Sequence, residues 1–466
     1  MKLFNNFTSY KDRIALFNNN TNITYQEILD LSLKQKKILS KEPFLFIIAT
    51  NSFYPIITYI SSILNNHKLI LVDSKMNFDE LIKLIRVYKP SHIVSPEHYK
   101  NKSQFQKFKV LDLAFNYVIL KTNYLDQKIN NKISILLPTS GSMGSPKFAM
   151  LSNKNIKRNA DDIIKYLDIN LNDRAITSMP FSYSYMLSIL NTHLEKGASV
   201  YITENSIMQR EFWRNLKRNK ITSLSGIPYM YNFFLKLGLN KIHCKSLKTF
   251  TQAGGNLDKK SKERIINFCK SKKMKFIVMY GQTEASPRIS YLDWKYALKK
   301  NGSIGKNIKS TQMWIENENG KKINKSGMIG EIIFKGDNVF IGYAYNCEDL
   351  KKKNYKKKIL KTGDLGYFDK DGFFYITGRS KRIAKVFGVR IALEELERKM
   401  KKHGHVVVCK NIANKIKIYY EKKYKKNSII KLANHFTGQN KNIFECNIID
   451  KIPRTSFGKI DYSKLN

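Results

Sequence analysis

The stretch Phe44-Leu-Phe-Ile-Ile-Ala-Thr50, with the segments that follow it, decides the fold class. It is an apolar run rich in Ile and Phe. An apolar segment of helix length follows and ends at Leu64, and a second strand-like run covers residues 69–72. A helical segment at 78–88 then leads into residues 92–94. Buried strands that alternate with helices are typical of a parallel sheet with helices on both faces. The N-terminal half is therefore predicted to be α/β.

A second α/β region follows along the chain. Strand-like runs at residues 198–203, 221–224, 248–251 and 275–279 are separated by segments of helix length. The same alternation predicts a second parallel sheet, and both sheets are expected to lie before residue 300.

The C-terminal part of the chain has a different pattern. Between Gly327 and Gly378, short alternating segments are interrupted by Gly and Asp, which predicts an antiparallel sheet or a small barrel. A short mixed segment follows Arg379, with a predicted helix at 393–402 and predicted strands at 406–409 and 416–420. The predicted domains are residues 1–379 and residues 380–466.

Composition limits the class of protein. The chain has 466 residues, of which 42% are hydrophobic and 12% aromatic, as in a folded globular protein of more than one domain. Its net charge of +46 comes from 83 Lys and Arg against 37 Asp and Glu. Such a charge is compatible with nucleic acid or an anionic membrane as partner, but the basic residues are spread from Lys2 to Lys464. A solvated Lys-rich surface is favoured, so no nucleic-acid partner and no stable membrane insertion are predicted.

The cysteines and the N-terminus indicate the compartment. The five cysteines include no Cys-x-x-Cys pair and are predicted to be unpaired thiols in a reducing compartment. The first 20 residues contain Asp12 and Asn-rich stretches where a signal peptide needs an apolar segment. The apolar stretch at residues 54–64 is too short to span a membrane. The sequence predicts a cytoplasmic protein.

A first chemical motif is Thr139-Ser-Gly-Ser-Met-Gly-Ser-Pro-Lys147, which follows the apolar run 133–137. The backbone N–H groups and hydroxyls of such a segment can close on phosphate oxygens, and its terminal Lys supplies a point charge. Pro146 stands where a Walker A loop needs its second Gly, so a kinase or P-loop NTPase is not predicted. Taken alone, the segment is equally compatible with a flexible surface loop.

A second motif, Tyr280-Gly-Gln-Thr-Glu284, comes directly after the apolar run 276–279. Ligands bind at the carboxyl ends of strands in α/β sheets, and here an aromatic ring, a hydroxyl and a carboxylate stand together. These groups can stack on a base, bond a phosphate and hold Mg²⁺. An isolated pentapeptide of this kind is more often a turn with a solvated Glu.

Two further segments lie in the C-terminal part. The first runs from Thr362-Gly-Asp364 to Thr377-Gly-Arg379, and turn chemistry at 369–372 explains several of its residues. Asp364 and Arg379 are not explained in this way. An Asp can accept two ribose hydroxyls, and an Arg can pair with phosphate or ribose oxygens. The second, Pro453-Arg-Thr-Ser-Phe-Gly-Lys459, lies in a tail that would normally be disordered, so its Gly-Lys pair is useful only if it folds onto a site.

In this order and at this spacing, the four segments resemble the acyl-adenylate-forming (AMP-binding) superfamily of acyl-CoA synthetases, amino-acid adenylation domains and firefly luciferase. Weaker signatures agree with the resemblance, at Ile23-Thr-Tyr-Gln-Glu27, Ala253-Gly-Gly255 and Gly302-Ser-Ile-Gly305. The resemblance implies an α/β fold with a large N-terminal domain of two α/β subdomains plus a small β-barrel. A small mobile α+β C-terminal lid is expected to follow that domain.

The resemblance also implies an activity. The expected enzyme is an ATP-dependent acid–thiol ligase that uses ATP and Mg²⁺ to activate a carboxylic acid as its acyl-AMP, with release of pyrophosphate. It then transfers the acyl group to the thiol of coenzyme A. The alternative is a stand-alone amino acid or acyl adenylation enzyme that loads the phosphopantetheine of a separate acyl carrier protein.

Each matching residue has a role that the resemblance implies. The residues expected to cradle the β- and γ-phosphates are Thr139, Ser140, Gly141, Ser142, Gly144 and Lys147. The residues expected to bind adenine and the α-phosphate are Gly254, Gly255, Tyr280, Gln282 and Thr283, with Glu284 as the Mg²⁺ ligand. Asp364 is expected to take the ribose hydroxyls with the help of Arg379.

The resemblance assigns the remaining catalytic roles to lysines near the C-terminus. Lys459 is expected to reach the substrate carboxylate and the α-phosphate and so to serve adenylate formation, together with Thr283 and Lys147. Lys381 is similar to the hinge residue of the family. Lys385 lies in the segment that the family turns inward for thioester formation.

The acid pocket is expected to include Tyr183 and Ser184, within Pro180-Phe-Ser-Tyr-Ser-Tyr185. Amino-acid-activating relatives place an Asp about where Ser184 stands, because a buried ammonium group needs a partner charge. This chain has no carboxylate there, which favours an acid without an α-amino group. The side chains of Tyr183, Tyr185 and Met186 suit an aliphatic or aromatic acid, and they are equally compatible with plain core packing.

Two other classes of function are disfavoured. A noncatalytic AMP-binding relic is not expected, because Lys147, Glu284, Asp364, Arg379 and Lys459 are all present. A nucleic-acid-binding protein is disfavoured by the scattered distribution of the charge.

Overall fold

The computed structural model describes residues 2–139, 147–242, 244–352, 358–386, 389–412, 415–454 and 460–465. The chain divides into two compact units. Unit 1 is formed by Met1–Gln312 and Lys335–Leu360, and unit 2 by Met313–Phe334 and Lys361–Asn466. The predicted boundary after residue 379 does not coincide with this division, because strands that precede residue 379 group with the chain that follows it. A lid that begins at residue 380 stays a prediction.

The elements are numbered in chain order. The helices are α1 Tyr25–Ile38, α2 Phe53–Asn65, α3 Phe78–Tyr88, α4 Ser103–Gln106, α5 Asn153–Leu167, α6 Ser184–Glu195, α7 Arg210–Arg218, α8 Pro228–Leu237, α9 Leu239–Ile242, α10 Lys259–Ser271, α11 Leu393–Lys402 and α12 Lys426–Thr437. The strands are β1 Ile14–Phe17, β2 Asn22–Thr24, β3 Phe44–Ala49, β4 Lys68–Asp73, β5 His92–Pro96, β6 Lys109–Ala114, β7 Tyr117–Lys121, β8 Ile135–Pro138, β9 Phe148–Leu151, β10 Arg174–Ile176, β11 Ser199–Tyr201, β12 Ser223–Gly226, β13 Thr249–Gln252, β14 Lys275–Gly281, β15 Arg288–Leu292, β16 Lys306–Asn307, β17 Gln312–Glu316, β18 Lys322–Ile323, β19 Gly330–Lys335, β20 Gly342–Ala344, β21 Ile359–Phe368, β22 Phe374–Arg379, β23 Ile383–Val386, β24 Val389–Ala392, β25 Val407–Ile412, β26 Lys415–Glu421 and β27 Phe444–Ile449.

The first sheet of unit 1 has the strand order β20-β9-β8-β4-β3-β5-β7-β6. Its four central strands are parallel, as predicted from the alternation of apolar runs and helices. All six residues of β3 are buried, and α2 is buried on nearly every face, because both lie inside the α/β layers. Leu81, Leu84 and Ile85 of α3 belong to the same buried cluster as alternate residues of β3, namely Phe44, Phe46 and Ile48.

The second sheet of unit 1 has the order β16-β15-β14-β13-β12-β10-β11-β1-β2. The run from β14 through β1 is parallel. The predicted fold class, an α/β protein with two such sheets before a smaller C-terminal part, is confirmed.

The expectation that both sheets lie entirely before residue 300 is wrong. Strands β16 and β20 follow residue 300 and close the edges of the two sheets by antiparallel pairing. β20 also lies between Gly327 and Gly378, where the sequence predicted a separate antiparallel sheet or small barrel. Both strands are only two or three residues long, so they carry too little periodicity to be predicted from the sequence.

Unit 2 begins with a five-stranded sheet of order β18-β17-β19-β21-β22, where the small barrel was expected. A hairpin, β23-β24, and a three-stranded sheet, β25-β26-β27, follow it. Helices α11 and α12 cover this last sheet through a core that contains Leu396, Met400 and Ile429. The predicted helix at 393–402 matches α11 in full.

The weak signature Ile23-Thr-Tyr-Gln-Glu27 has a structural explanation. The Thr24 side chain accepts a hydrogen bond from the Glu27 backbone, and the Glu27 side chain accepts one from the Thr24 backbone. This capping box satisfies two backbone donors at the start of α1. The motif therefore begins a helix that packs on α2, independently of any ligand.

Candidate active site

The candidate site lies at the carboxyl ends of parallel strands in the second sheet of unit 1. Strands β12, β13 and β14 are neighbours, with Ser225 opposite Thr251 and Thr251 opposite Ile277. The segments that leave β13 and β14 are therefore brought side by side. They are the two that carry Gly254-Gly255 and Gln282-Thr283-Glu284. Parallel strands present their carboxyl ends at one edge, where α/β proteins bind ligands.

Lys147 and Glu284 converge on the same aromatic side chain, Tyr343. The Lys147 ammonium lies 3.8 Å from the centre of the Tyr343 ring. The Tyr343 hydroxyl donates a hydrogen bond of 2.8 Å to Oε1 of Glu284. Burial and the nearby Glu284 carboxylate raise the pKa of Tyr343, so its hydroxyl stays protonated and remains a donor. A cation and a carboxylate, both expected to act on ATP, are thus held by one ring.

The pairing of β20 with β9 produces this convergence. Tyr343 lies opposite Ala149 in the antiparallel pair, and Lys147 directly precedes β9. Thr139, at the other end of the phosphate segment, donates its hydroxyl to the Lys147 carbonyl at 3.3 Å. The two ends of the segment are therefore fixed to each other. Sequence reasoning missed Tyr343, because nothing local marks a residue that meets Lys147 only through a strand pair.

Thr283 contacts the residue that was expected in the acid pocket. Its hydroxyl lies 3.2 Å from the hydroxyl of Ser184, the first residue of α6. Ser184 is only 8% exposed. The predicted α-phosphate residue and the predicted acid-pocket residue are therefore neighbours, as adenylation requires of a phosphate and the carboxylate that attacks it.

Gly254 allows Tyr183 to approach closely. Its φ is +81°, and a Cβ there would lie 2.6 Å from the Tyr183 hydroxyl oxygen and 2.9 Å from Ile227. Only glycine fits this combination of backbone conformation and space. The Gly255 carbonyl accepts a hydrogen bond of 2.9 Å from the Gln252 side chain. The double glycine therefore forms a backbone wall beside Tyr183.

Tyr280 and Gln282 lie at the end of β14 and just after it. Tyr280 is 9% exposed, and Gln282 donates its side-chain N–H to the Tyr280 hydroxyl at 3.4 Å. Their predicted contact with adenine stays a prediction.

Asp364 and Arg379 form an ion pair within unit 2. They lie opposite each other in the antiparallel pair of β21 with β22, and the Arg379 Nε lies 2.9 Å from Oδ1 of Asp364. The Asp364 side chain is 3% exposed, whereas that of Arg379 is 52% exposed. The two predicted ribose residues are therefore brought together.

Several predicted residues lie outside the described part of the structure. These are Ser140, Gly141, Ser142 and Gly144 of the phosphate segment, and Lys459 of the tail. Lys385 lies on β23 and Lys381 lies in the turn before that strand, but the described part does not include their side chains.

The described residues offer Mg²⁺ the single carboxylate of Glu284 near the phosphate segment, which suits an ion that enters bound to ATP. Nowhere in the ranges that the structure describes do three or more His, Cys, Asp or Glu side chains form a group able to hold a metal ion. Glu284 is half-buried, and its Oε2 accepts no hydrogen bond from another described residue. Mg²⁺ is commonly bound through one or two carboxylates plus substrate phosphates and water. A single Glu beside a phosphate segment fits that pattern.

Lys147 of a phosphate-type segment and Glu284, after a parallel strand of the other sheet, meet at Tyr343, and this arrangement defines a nucleotide-binding α/β enzyme. The model of the family described as "AMP-binding enzyme" matches residues 3–344. The chain belongs to this family, so the resemblance predicted from the four segments is confirmed.

Individual relatives agree with the family. A 2-succinylbenzoate–CoA ligase of Bacillus licheniformis is 29% identical over 58% of this chain and 55% of its own length. A luciferin 4-monooxygenase of Photuris pensylvanica is 26% identical over 84% of this chain and 78% of its own length. The structure of the O-succinylbenzoate coenzyme A synthetase of Bacillus subtilis in complex with AMP superposes with a TM-score of 0.79. It is 20% identical and covers 100% of this chain and 98% of its own.

None of the helices in the described ranges is both long enough and apolar enough to cross a membrane.

Proposed function

We propose that this chain is an ATP-dependent carboxylate–thiol ligase that forms an acyl-AMP and transfers the acyl group to coenzyme A. The observation that supports the proposal best is the meeting of Lys147 and Glu284 on Tyr343, in a chain of the AMP-binding family. The contact of Thr283 with Ser184 adds a place where the α-phosphate and the acid can meet.

In the first half-reaction, a carboxylate oxygen of the acid attacks the α-phosphorus of ATP. An O–P bond forms, the bond to the bridging oxygen breaks, and pyrophosphate leaves with the electron pair. The chain needs to position these groups and to stabilise their negative charge, and no covalent catalyst is required. Lys147 supplies a positive charge for the leaving pyrophosphate, and Thr283 supplies a hydroxyl for the α-phosphate.

Glu284 is the residue that would hold Mg²⁺. When bound, the ion neutralises charge on the phosphates during the transfer. The Tyr343 hydroxyl fixes one oxygen of the Glu284 carboxylate and leaves the second for the ligand. Tyr343 therefore acts as a positioning residue on both Lys147 and Glu284.

Unit 2 is proposed to supply the remaining residues. Asp364 would accept the ribose hydroxyls, and Arg379 would orient it through their ion pair. Lys459 would serve adenylate formation, and Lys385 would lie in the segment used for thioester formation. In that second half-reaction the thiol sulfur attacks the acyl carbon, the thiol proton is lost, and AMP leaves with the former acid oxygen.

A cytoplasmic location is part of the proposal. It is supported by the five cysteines, none of which forms a disulfide. Four of them are buried, and burial raises the pKa of the Cys269 thiol to about 12. Buried free thiols are typical of proteins that stay in a reducing compartment.

The test of the proposal is exchange of radiolabelled pyrophosphate into ATP across a panel of fatty, aryl, hydroxy, dicarboxylic and amino acids. Exchange with at least one acid, abolished by removal of Mg²⁺, is the expected result. Acids that support exchange are then tested for thioester formation with coenzyme A and with a phosphopantetheine-bearing carrier protein. Transfer to the carrier alone would contradict the assignment of coenzyme A as acceptor.

The variant Lys459→Ala tests the proposed division of labour. It is expected to lower adenylate formation by several orders of magnitude while thioester formation from supplied acyl-AMP stays largely intact, because the lysine neutralises charge only in the first half-reaction. Equal losses in both half-reactions would refute the role of Lys459.

A further inference from the structure

Arg288 is a buried cation that has no carboxylate partner among the described residues. It is the first residue of β15 and is 2% exposed. One terminal nitrogen donates to the Ser188 hydroxyl at 3.2 Å, and the guanidinium lies 4.7 Å from the centre of the Tyr185 ring. Its Nε is buried without a hydrogen-bond partner. A guanidinium has five N–H donors and cannot lose its proton, so neutral partners leave most of its capacity unused.

The backbone of Arg288 is fixed on both sides. Its N–H donates to Oδ1 of Asn159 at 3.2 Å, and its carbonyl accepts from the Asn159 side chain at 3.0 Å and from the Asn338 side chain at 2.9 Å. These two asparagines are fully buried. The arginine is therefore held at a set position on a rigid strand, which favours a role in recognition.

Arg288 lines a cavity beside α6. The cavity has a volume of about 30 Å³ and is lined by Tyr185, Ser188 and Arg288, and also by Asp173 and His193. Asp173 and His193 bond to other described groups and not to Arg288. Tyr185, which lines the cavity, neighbours Tyr183 of the predicted acid pocket, and the centres of their rings are 6.3 Å apart. The space is large enough for a compact polar group, and it carries a positive charge at its wall.

The contact with Ser188 shows where the Arg288 guanidinium lies along α6. Ser184, which contacts Thr283, and Ser188, which contacts Arg288, are four residues apart on α6 and so lie on the same face. Four residues of helix advance about 6 Å along the axis. The cation therefore lies about one helical turn further along α6 than Thr283, the proposed α-phosphate residue.

We propose that Arg288 is a specificity-determining residue and that the acid substrate carries a second carboxylate, which the guanidinium binds. The proposal rests on the proposed function and names the class of its substrate. Arg binds carboxylates with two parallel N–H···O bonds, and a buried charge is stabilised by pairing. An acid with a methyl group in place of the distal carboxylate would leave Arg288 buried and unpaired, so it would be a poor substrate.

The experiment compares matched pairs of acids in the pyrophosphate exchange assay. Each pair has the same number of carbons: succinate with butyrate, glutarate with valerate, and adipate with hexanoate. We expect the wild-type chain to prefer the dicarboxylate of at least one pair by about 100-fold or more in kcat/KM. The variant Arg288→Met is expected to lose that preference and to accept the monocarboxylate at least as well as the wild type does.

Two further variants keep the test decisive. Arg288→Lys keeps a cation but lacks the planar fork, so an intermediate preference is expected, and it decides the question if Arg288→Met does not fold. Arg174→Met is the matched control, because Arg174 also lies over an aromatic ring, at 5.5 Å, but is exposed. It is expected to leave the preference unchanged.

The outcomes separate this proposal from the proposed function. Preference for the monocarboxylate in every pair, or an equal loss for both members in the Arg288 variants, would overturn the role of Arg288 while leaving the ligase activity established. Absence of exchange with every acid would instead contradict the proposed function. Thermal stabilisation by the free dicarboxylates then decides: stabilisation of the wild type but not of Arg288→Met supports the site, and no stabilisation of either overturns it.

Discussion

Two regions of unit 1, the first sheet and the start of β15 in the second sheet, bury basic side chains in different ways. The first sheet buries His67 and His92, which are 6% and 1% exposed. Burial lowers the pKa of each histidine to about 4. The second sheet buries Arg288 equally deeply, beside Tyr185 and Ser188. A histidine can respond to burial by giving up its proton, whereas an arginine cannot.

This difference indicates which buried basic side chain is stabilised by an anionic ligand. The two histidines are neutral near pH 7, so the first sheet holds no uncompensated charge from them. An arginine does not give up its proton, and the two described groups that contact the Arg288 guanidinium, the Ser188 hydroxyl and the Tyr185 ring, are neutral. A third arrangement occurs in unit 2, where Arg379 is exposed and already paired with Asp364. Of these four side chains, His67, His92, Arg379 and Arg288, it is Arg288 that combines a positive charge with deep burial, which favours an incoming anion.

The largest effect on catalysis is expected from removing Asp364, the carboxylate that pairs with Arg379. This variant tests whether the paired Arg379 and the unpaired Arg288 serve different substrates. Asp364→Ala should raise the KM for ATP by about 100-fold, because two charge-assisted hydrogen bonds to ribose would be lost. The KM for the acid should change little. Arg379→Met should have a much smaller effect, because that side chain is half exposed. Pyrophosphate exchange at varied ATP measures both, and a change confined to the KM of the acid would contradict the ribose role.

The neutral state of the buried histidines predicts a dependence of stability on pH. Between pH 6.5 and about 4 the unfolded state binds protons that the folded state does not bind at His67 and His92. The free energy of unfolding therefore falls as pH is lowered through this range. Each histidine contributes up to about 3 kcal/mol to that loss.

The variant His67→Gln should lose less free energy of unfolding than the wild type as pH falls from 7 to 4.5. The difference in stability between variant and wild type should therefore shift in favour of the variant over this range. Urea unfolding at several pH values measures it. The matched control is His98→Gln, at an exposed histidine whose ring centre lies 4.6 Å from that of Tyr99, and its stability curve should run parallel to that of the wild type. If the free energy of unfolding of His67→Gln changed with pH in parallel with that of the wild type, His67 would not be a buried neutral histidine and its contrast with Arg288 would be lost.

The packing at the acid pocket is tested by Gly254→Ala. Its Cβ would meet the Tyr183 hydroxyl at 2.6 Å, in addition to the cost of a positive φ. We expect a loss of about 2 kcal/mol in the free energy of unfolding. Gly238→Ala is the matched control, because Gly238 has φ +94° and no atom within 4 Å of the added Cβ. If both variants lose the same stability, the close approach of Tyr183 contributes nothing.

The smallest effect is expected at the hydroxyl that Arg288 contacts. Ser188→Ala should raise the KM for the preferred dicarboxylate by roughly fivefold without a large change in kcat, because it removes one neutral hydrogen bond that orients the guanidinium. Ser62→Ala is the matched control. Both serines donate to a carbonyl of their own helix at 2.7 Å, but only Ser188 accepts from an arginine. Equal behaviour of the two variants would argue against orientation of Arg288 by Ser188.

Much of the fold could be predicted from the sequence, because its signals are local. The strand that begins at Phe44 and the helix over Phe78–Tyr88 carry their own periodicity, and both were placed within a residue of their observed bounds. The short strand β20 was missed, since three residues cannot show a period. Parts of the candidate site were likewise predictable. The position of Thr283 after a buried strand predicted that it would lie at the ligand-binding edge of the sheet.

The sequence by itself determined the family and the order of the nucleotide segments, because each segment is a run of neighbouring residues whose chemistry is visible without a partner. Only the tertiary structure decided that Lys147 and Glu284 meet at Tyr343, since the antiparallel pairing of β9 with β20 joins residues that are far apart in the chain. It also decided that Arg288 is buried in contact with the neutral side chains of Tyr185 and Ser188. The chemical meaning of an arginine depends on its burial and its partners, and neither is a property of the local sequence.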